Sequence, residues 1–215
     1  MHKIDVEAVK RASEATVREH DGRICDWLPS PEPDTQPRDV LAVARRALIL
    51  NALIQISFKG PIPIIKSWIE NNGLASDLAE SERLILTKSN AALTQQELAN
   101  LFWRIEALWA LVWVGGLIKD LPLNKPVGDN LASLCPNLQR NADGTDFIKS
   151  FQLRRHEELF CMLDLYYRAH WWTRNAQLTG QQTGDVSLDI IMERRKTLEW
   201  VLDAKADWDN VEMST

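Results

Sequence analysis

The chain has 215 residues, of which 45% are hydrophobic and 26% charged, with a formal net charge of -5. Only 9 Gly and 9 Pro exclude a collagen-like or low-complexity chain, and the length suits one compact soluble domain over residues 1–215. The acidic balance argues against nucleic acid or an anionic membrane surface as partner.

Residues Met1 to Asp5 begin no signal peptide, because no apolar run follows them. A first helix is expected from Ile4 to His20, closed by Gly22. Residues 21–37 hold Pro29, Pro31, Pro33 and Pro37 and read as an extended loop. Helices follow from Arg38 to Phe58, Ile64 to Asn72 and Glu80 to Lys88, separated by Gly60-Pro61, Pro63 and Asn71-Asn72-Gly73. Thr94-Gln95-Gln96-Glu97 is a capping box. After it Leu98, Leu101, Phe102, Ile105, Leu108, Trp109 and Val112 keep the spacing of one helical face. From Ala107 to Ile118 the chain is uncharged for 12 residues, a core helix rather than the roughly 20 residues of a membrane span. Gly115-Gly116 ends it.

Residues 121–146 read mostly as loop around a short helix at Asn130 to Leu134. Two long helices complete the pattern, Arg155 to Leu178 capped by Gly180, and Leu188 to Ala204 before a tail at 205–215. No apolar run alternates as a strand would, so the fold class is all-α, an orthogonal or irregular multi-helix bundle.

Cys25, Cys135 and Cys161 are far apart and odd in number, which suits a reducing, cytoplasmic compartment. Cys161, among Phe160, Met162 and Leu163, reads as a buried small hydrophobe. Nine Trp against five Phe and two Tyr call for interior acceptors, since each indole N–H needs a partner. Nucleotide-cradling glycine motifs and a serine-nucleophile elbow are absent. His156-Glu157-Glu158-Leu159-Phe160 lacks the second His that zinc needs, and no Glu has a His three positions later. No cofactor or metal is expected.

On a helical wheel Glu106 falls beside Phe102 and Trp113, where a carboxylate must be paired or hydrogen-bonded. Glu157, Asp164, Arg168 and Asn175 share one stripe of their helix, flanked by Trp171. His170 lies on the opposite, apolar face with Leu159, Leu163 and Tyr166, where a lone His is more often core than catalytic. Arg195 lies among Leu188, Ile191, Leu198 and Leu202 and is the first choice of partner for Glu106, with Arg45 or Arg46 as the fallback.

Leu163-Asp164-Leu165-Tyr166-Tyr167-Arg168-Ala169-His170-Trp171 resembles the signature of a bacterial family known as domain of unknown function 4272. Glu193-Arg194 with Leu198-Glu199-Trp200, the tail Trp208-Asp209-Asn210-Val211, and Arg104 to Leu111 with Gly116-Leu117-Ile118 are similar to its other elements, as is Ala44-Arg45-Arg46-Ala47-Leu48. The sequence departs from the family pattern at Thr197 and Glu199, and Glu212-Met213-Ser214-Thr215 replaces an Asp-rich ending. The resemblance implies an all-helical bacterial cytosolic protein and carries no catalytic assignment. Together the wheel and the resemblance single out Glu106, Asp164, Tyr167, Arg168, His170, Trp171, Glu193 and Arg194 as a candidate polar site. Two functions compete. One is a non-enzymatic protein-binding or adaptor module, for example one that neutralises a partner. The other is an enzyme or small-ligand binder with an interhelical pocket lined by Glu106, Asp164, Arg168, His170 and Glu193. Sealed, mutually paired charges favour the first; charges lining an open pocket favour the second.

Overall fold

A computed structural model describes residues 4–215; the expectation drawn from Met1, His2 and Lys3 lies outside the described residues. Among the described residues there are nine α-helices and no strand: α1 (Val6–Glu19), α2 (Val40–Ser57), α3 (Ile62–Asn71), α4 (Glu80–Leu86), α5 (Gln95–Val114), α6 (Leu131–Leu134), α7 (Thr145–Ser150), α8 (His156–Thr179) and α9 (Leu188–Leu202). The all-α class and the helix order follow the sequence pattern.

Local chemistry sets the helix ends. Asp5 and Asp39 accept from the backbone N–H of Ala8 and Ala42, capping α1 and α2. Thr94 and Glu97 form the expected reciprocal box at the start of α5. Gly180 ends α8 at φ 67°, the left-handed region where glycine carries no Cβ penalty. Two expectations need correction. Helix α3 begins at Ile62, because Pro63 occupies its first turn, where no backbone N–H is needed. The loop expected to run to Asp146 instead ends at Gly144, where α7 begins, entered by Thr145 N–H donating to Asp143 and anchored by buried Phe147. Six residues are too few to show a helical period.

The packing runs in one sequence of neighbours: α2 against α5, α5 against α9, α9 against α8, and α1 on α8. α2 is long and apolar enough to cross a membrane by length and composition, yet here it is the core helix, with Val43 to Leu50 and Ala52 to Ile54 almost wholly buried apart from Arg45. One continuous apolar cluster takes side chains from Val17 to Trp208. Phe102 is the exception to the expected α5 stripe. It is 43% exposed, because α2 stops at Ser57 and leaves that end of α5 uncovered. Its ring instead meets Phe58 edge-on at 6.0 Å.

The irregular segments are pinned rather than free. In the proline-rich loop Leu28 is buried, and His156 Nε2 contacts the Pro33 carbonyl at 2.8 Å. Arg38 N–H donates to Val201 O, and Ala204 N–H donates back to Gln36 O. The tail folds over α4 and α9, with buried Trp208 edge-on to Trp200 at 5.3 Å and Asp209 accepting from Ser81 N–H and Oγ–H. After α5 the chain returns along itself, Gln152 N–H donating to Gly115 O and Arg154 N–H to Val114 O. This brings the Phe151 ring onto Gly115, where a Cβ would lie 2.5 Å from Phe151 Cδ1. Gly115→Ala is therefore expected to destabilise by about 1–3 kcal/mol in urea unfolding, the usual cost of overpacking.

Candidate functional site

Four arginine clusters carry the buried charge. Glu106 is 2% exposed on α5 and is met from α9 by fully buried Arg194, not by Arg195. Arg194 Nε and Nη2 donate to Glu106 Oε2 at 2.9 and 2.6 Å, while Glu106 Oε1 accepts from Val127 N–H at 2.8 Å. The remaining guanidinium donors reach Pro122 O, Lys125 O and Tyr166 Oη. The wheel placed Arg195 on the right helix but one residue out. A 100° step turns Arg194 to the α5 side and Arg195 to α8.

Arg195 is buried against α8 instead. Its Nη1 donates to His170 Nδ1 at 2.6 Å, and both its Nε and Nη2 donate to Glu199 at 3.2 Å. It also holds the tail through the carbonyls of Met213 and Ser214, and stacks over Tyr167 at 4.6 Å. A guanidinium can only donate, so His170 Nδ1 must carry no proton. Burial, helped by Arg195 and Arg174, lowers the His170 pKa to about 4. His170 is a neutral core histidine.

Asp164 and Arg168 of the α8 stripe stand one helical turn apart. They are buried, and Arg168 Nε and Nη2 donate to the two Asp164 oxygens at 2.8 Å each. Arg168 also reaches Leu28 O and Ser30 Oγ in the proline-rich loop and approaches Glu14 of α1 at 3.8 Å. The fourth cluster was not singled out from sequence. Glu82 of α4, fully buried, accepts from Arg46 Nη1 at 2.9 and 2.7 Å and from Arg104 Nη1 at 3.1 Å. It also caps its own helix by accepting from Ala79 N–H.

The sequence-derived set is thus divided. Glu106 and Arg194 form one closed pair, Asp164 and Arg168 another, and His170 and Tyr167 gather around Arg195. Trp171 is partly buried against the core. Of this set Glu193 lines an open groove, of about 460 Å³, between α5, α9, the start of α4 and the tail. Its neighbours there include Arg104, Trp208 and Asp209, from segments that resemble the family pattern, and Trp103 and Lys196, for which the sequence carried no signal. Burial raises the Glu193 pKa and lowers that of Lys196. Neither head group carries a side-chain hydrogen bond or ion pair among the described residues, although the Lys196 ammonium lies 5.0 Å over the Trp208 ring.

Two cysteine and tryptophan expectations are also resolved. Cys161 is half-buried rather than buried, because it faces a second groove between α1 and α8. Burial there, with Glu157 and Asp164 nearby, raises its pKa and disfavours a thiolate. Buried indoles find backbone acceptors, Trp68 Nε1 donating to Ala142 O and Trp113 Nε1 to Lys119 O. Trp208 Nε1 is buried without a partner. Among the described residues no group of three His, Cys, Asp or Glu is placed to hold a metal ion.

Removing the Arg194 guanidinium strands a buried carboxylate. Arg194→Met is expected to cost about 3–5 kcal/mol in chemical denaturation, and adding Glu106→Gln should restore part of that loss. Additive losses would mean that the two do not interact. For His170, the unfolded chain takes up a proton near pH 6.5 and the folded chain only near pH 4. Stability is therefore lost as pH falls through that window, by at most roughly 3 kcal/mol. His170→Asn should flatten this part of the stability profile; an unchanged slope would locate the titration elsewhere.

No curated protein and no solved structure matches the chain. A family match covers residues 10–211, almost the whole chain, and includes the α5, α8, α9 and tail segments that build the arginine clusters and the groove. The protein belongs to the family described as Domain of unknown function (DUF4272).

Proposed function

We propose that the protein is a non-catalytic, protein-binding module of the cytoplasm, and that it docks its partner across the groove between α5 and α9. One observation carries this reading. An aromatic ridge, exposed Phe58 and Phe102 followed by half-buried Trp103, with ring centroids 6.0 and 5.9 Å apart, runs into a groove whose Glu193 and Lys196 make no side-chain hydrogen bond or ion pair among the described residues. Aromatic anchors beside a polar, solvent-accessible rim are the anatomy of an interface. Elsewhere the charges of the candidate set are spent on one another, which suits scaffolding more than reaction chemistry.

Charge selects the partner. Asp189, Glu193 and Asp209 line the groove against Arg104 and Lys196, and Arg104 is already held by Glu82. The whole chain is at -5. A partner that places a basic side chain against Glu193 and an apolar one on the ridge gains on both counts. A second reading, a small polar ligand in the same groove, draws support from the volume of about 460 Å³, within the usual range of ligand pockets.

A photo-crosslinking residue at Phe102 tests the first reading in the native cell. The control is the same residue at Leu178, which is 70% exposed at the far end of α8. A discrete protein adduct is expected from position 102 only, weakened by Glu193→Gln. Equal labelling from both positions, or none from 102, would remove the docking reading. Thermal stabilisation by a small polar metabolite, lost in Glu193→Gln, would then favour the second.

A further inference from the structure

Helix α9 presents Glu193 and Lys196 to the groove of about 460 Å³ that it shares with α5, the start of α4 and the tail. A Glu and a Lys at this spacing on one helix are neighbours and usually meet. Here they do not. The Lys196 ammonium lies 5.0 Å over the Trp208 ring, and neither head group makes a side-chain hydrogen bond or ion pair among the described residues. The groove therefore holds two opposite charges apart, each open to a partner from outside the chain.

The other charges of the groove are already compensated. Asp209 uses both carboxylate oxygens on Ser81, accepting from its N–H and Oγ–H. Arg104 donates from Nη1 to Glu82 and from Nη2 to Ser81 Oγ, which leaves its Nε without an acceptor among the described residues. Glu82 is also paired with Arg46, so Arg104 balances Asp209 and Lys196 is left as the cation in excess. Asp189 stands exposed in the first turn of α9, where the helix N-terminus favours a carboxylate. Glu193 is left as the anion in excess. Burial works against both charges, raising the Glu193 pKa and lowering that of Lys196, so a ligand that brings both counter-charges is stabilised twice.

This pattern selects the ligand. A cation alone gains Glu193 but faces Lys196, and an anion alone meets the reverse. A neutral molecule leaves both head groups to water. A molecule with an ammonium and a carboxylate on neighbouring atoms pairs with each at once. Half-buried Trp103 and buried Trp208 add apolar surface for a side chain beside them. We propose that the groove binds a free α-amino acid with an aromatic or branched apolar side chain, its ammonium on Glu193 and its carboxylate on Lys196 and Arg104 Nε. The assignment rests on the small-ligand reading of this groove; Phe58 and Phe102, on which protein docking is read, lie outside the lining.

Isothermal titration of the purified full chain with L-phenylalanine and L-leucine tests the assignment, with phenethylamine and 3-phenylpropanoate as probes that keep one charge each. One amino acid is expected per chain, with each single-charge probe at least about tenfold weaker than phenylalanine, the scale of a lost charge-assisted hydrogen bond. Glu193→Gln and Lys196→Met each alter a head group that bonds to nothing inside the chain, so both variants should fold, as circular dichroism checks. Each is expected to weaken phenylalanine by about tenfold. Binding of neither amino acid overturns the proposal, as does unchanged phenylalanine affinity in either folded variant. A single-charge probe that binds as tightly as phenylalanine also overturns it, while leaving a small ligand of that charge in the groove. Should a variant fail to fold, these probes on the natural chain still decide. The crosslink from position 102 reports docking alone, so its failure and the failure of this titration are separate results.

Discussion

The Glu106–Arg194 pair is the constraint around which the bundle is arranged. A carboxylate on the central helix α5 and a guanidinium on α9 would each cost several kcal/mol to bury alone. Together they close every account: Arg194 makes five hydrogen bonds, two to Glu106 and one each to Pro122 O, Lys125 O and Tyr166 Oη. A lysine could not do this, because three donors on a point charge cannot serve five positions in a plane. The pair consequently fixes α5 against α9, orients Tyr166 of α8, and holds residues 121–127 against the helices. The Tyr166 hydroxyl, buried and pushed up to about 12, stays protonated as part of the same set and donates to the Leu121 and Pro122 carbonyls.

The same solution recurs wherever an irregular segment crosses the bundle. Arg168 ties the proline-rich loop to Asp164, Arg195 ties the tail to Glu199 and His170, and Arg154 reaches the carbonyls of Trp113, Ile118 and Lys119 after α5. Long connections lying on a helical core leave backbone carbonyls that helices do not satisfy. Planar guanidiniums supply those donors, Arg168 anchored by buried Asp164 and Arg195 and Arg154 by the partly exposed Glu199 and Glu158. The polar interior is therefore mainly architecture, and the groove stands apart because Glu193 and Lys196 there make no side-chain hydrogen bond or ion pair among the described residues.

Trp208 links the groove to the core. It lines the groove, packs edge-on against Trp200, and has Arg46 and Lys196 each near its ring. The Glu82 carboxylate, shared by Arg46 of α2 and Arg104 of the groove, gives a second connection. The tail that carries Trp208 is held by Ser81 through Asp209, so the integrity of the groove rests on that short segment.

The sequence by itself determined the elements and the residues under constraint. Helical periodicity, the Thr94–Glu97 box and the glycines after α5 and α8 are local, and they appear in the structure close to where the pattern puts them. The wheel also identified Glu106 as a carboxylate that burial would force into a pair, because its neighbours on the same helix are apolar. Which cation would meet it was not local information. Arg194 and Arg195 are adjacent and point about 100° apart, and only the packing of α9 between α5 and α8 assigns one to each side. The distribution of the candidate site is likewise tertiary. The Asp164–Arg168 pair and His170 share a helix but face different neighbours, so they end in two separate clusters. Glu193 reaches open space because α9 turns it toward the groove beside α5. Phe102 shows the same limit from the apolar side: its period is that of a core residue, and it is exposed because α2 ends before covering it. Residue spacing along a helix sets a direction; what lies in that direction is decided by the other helices.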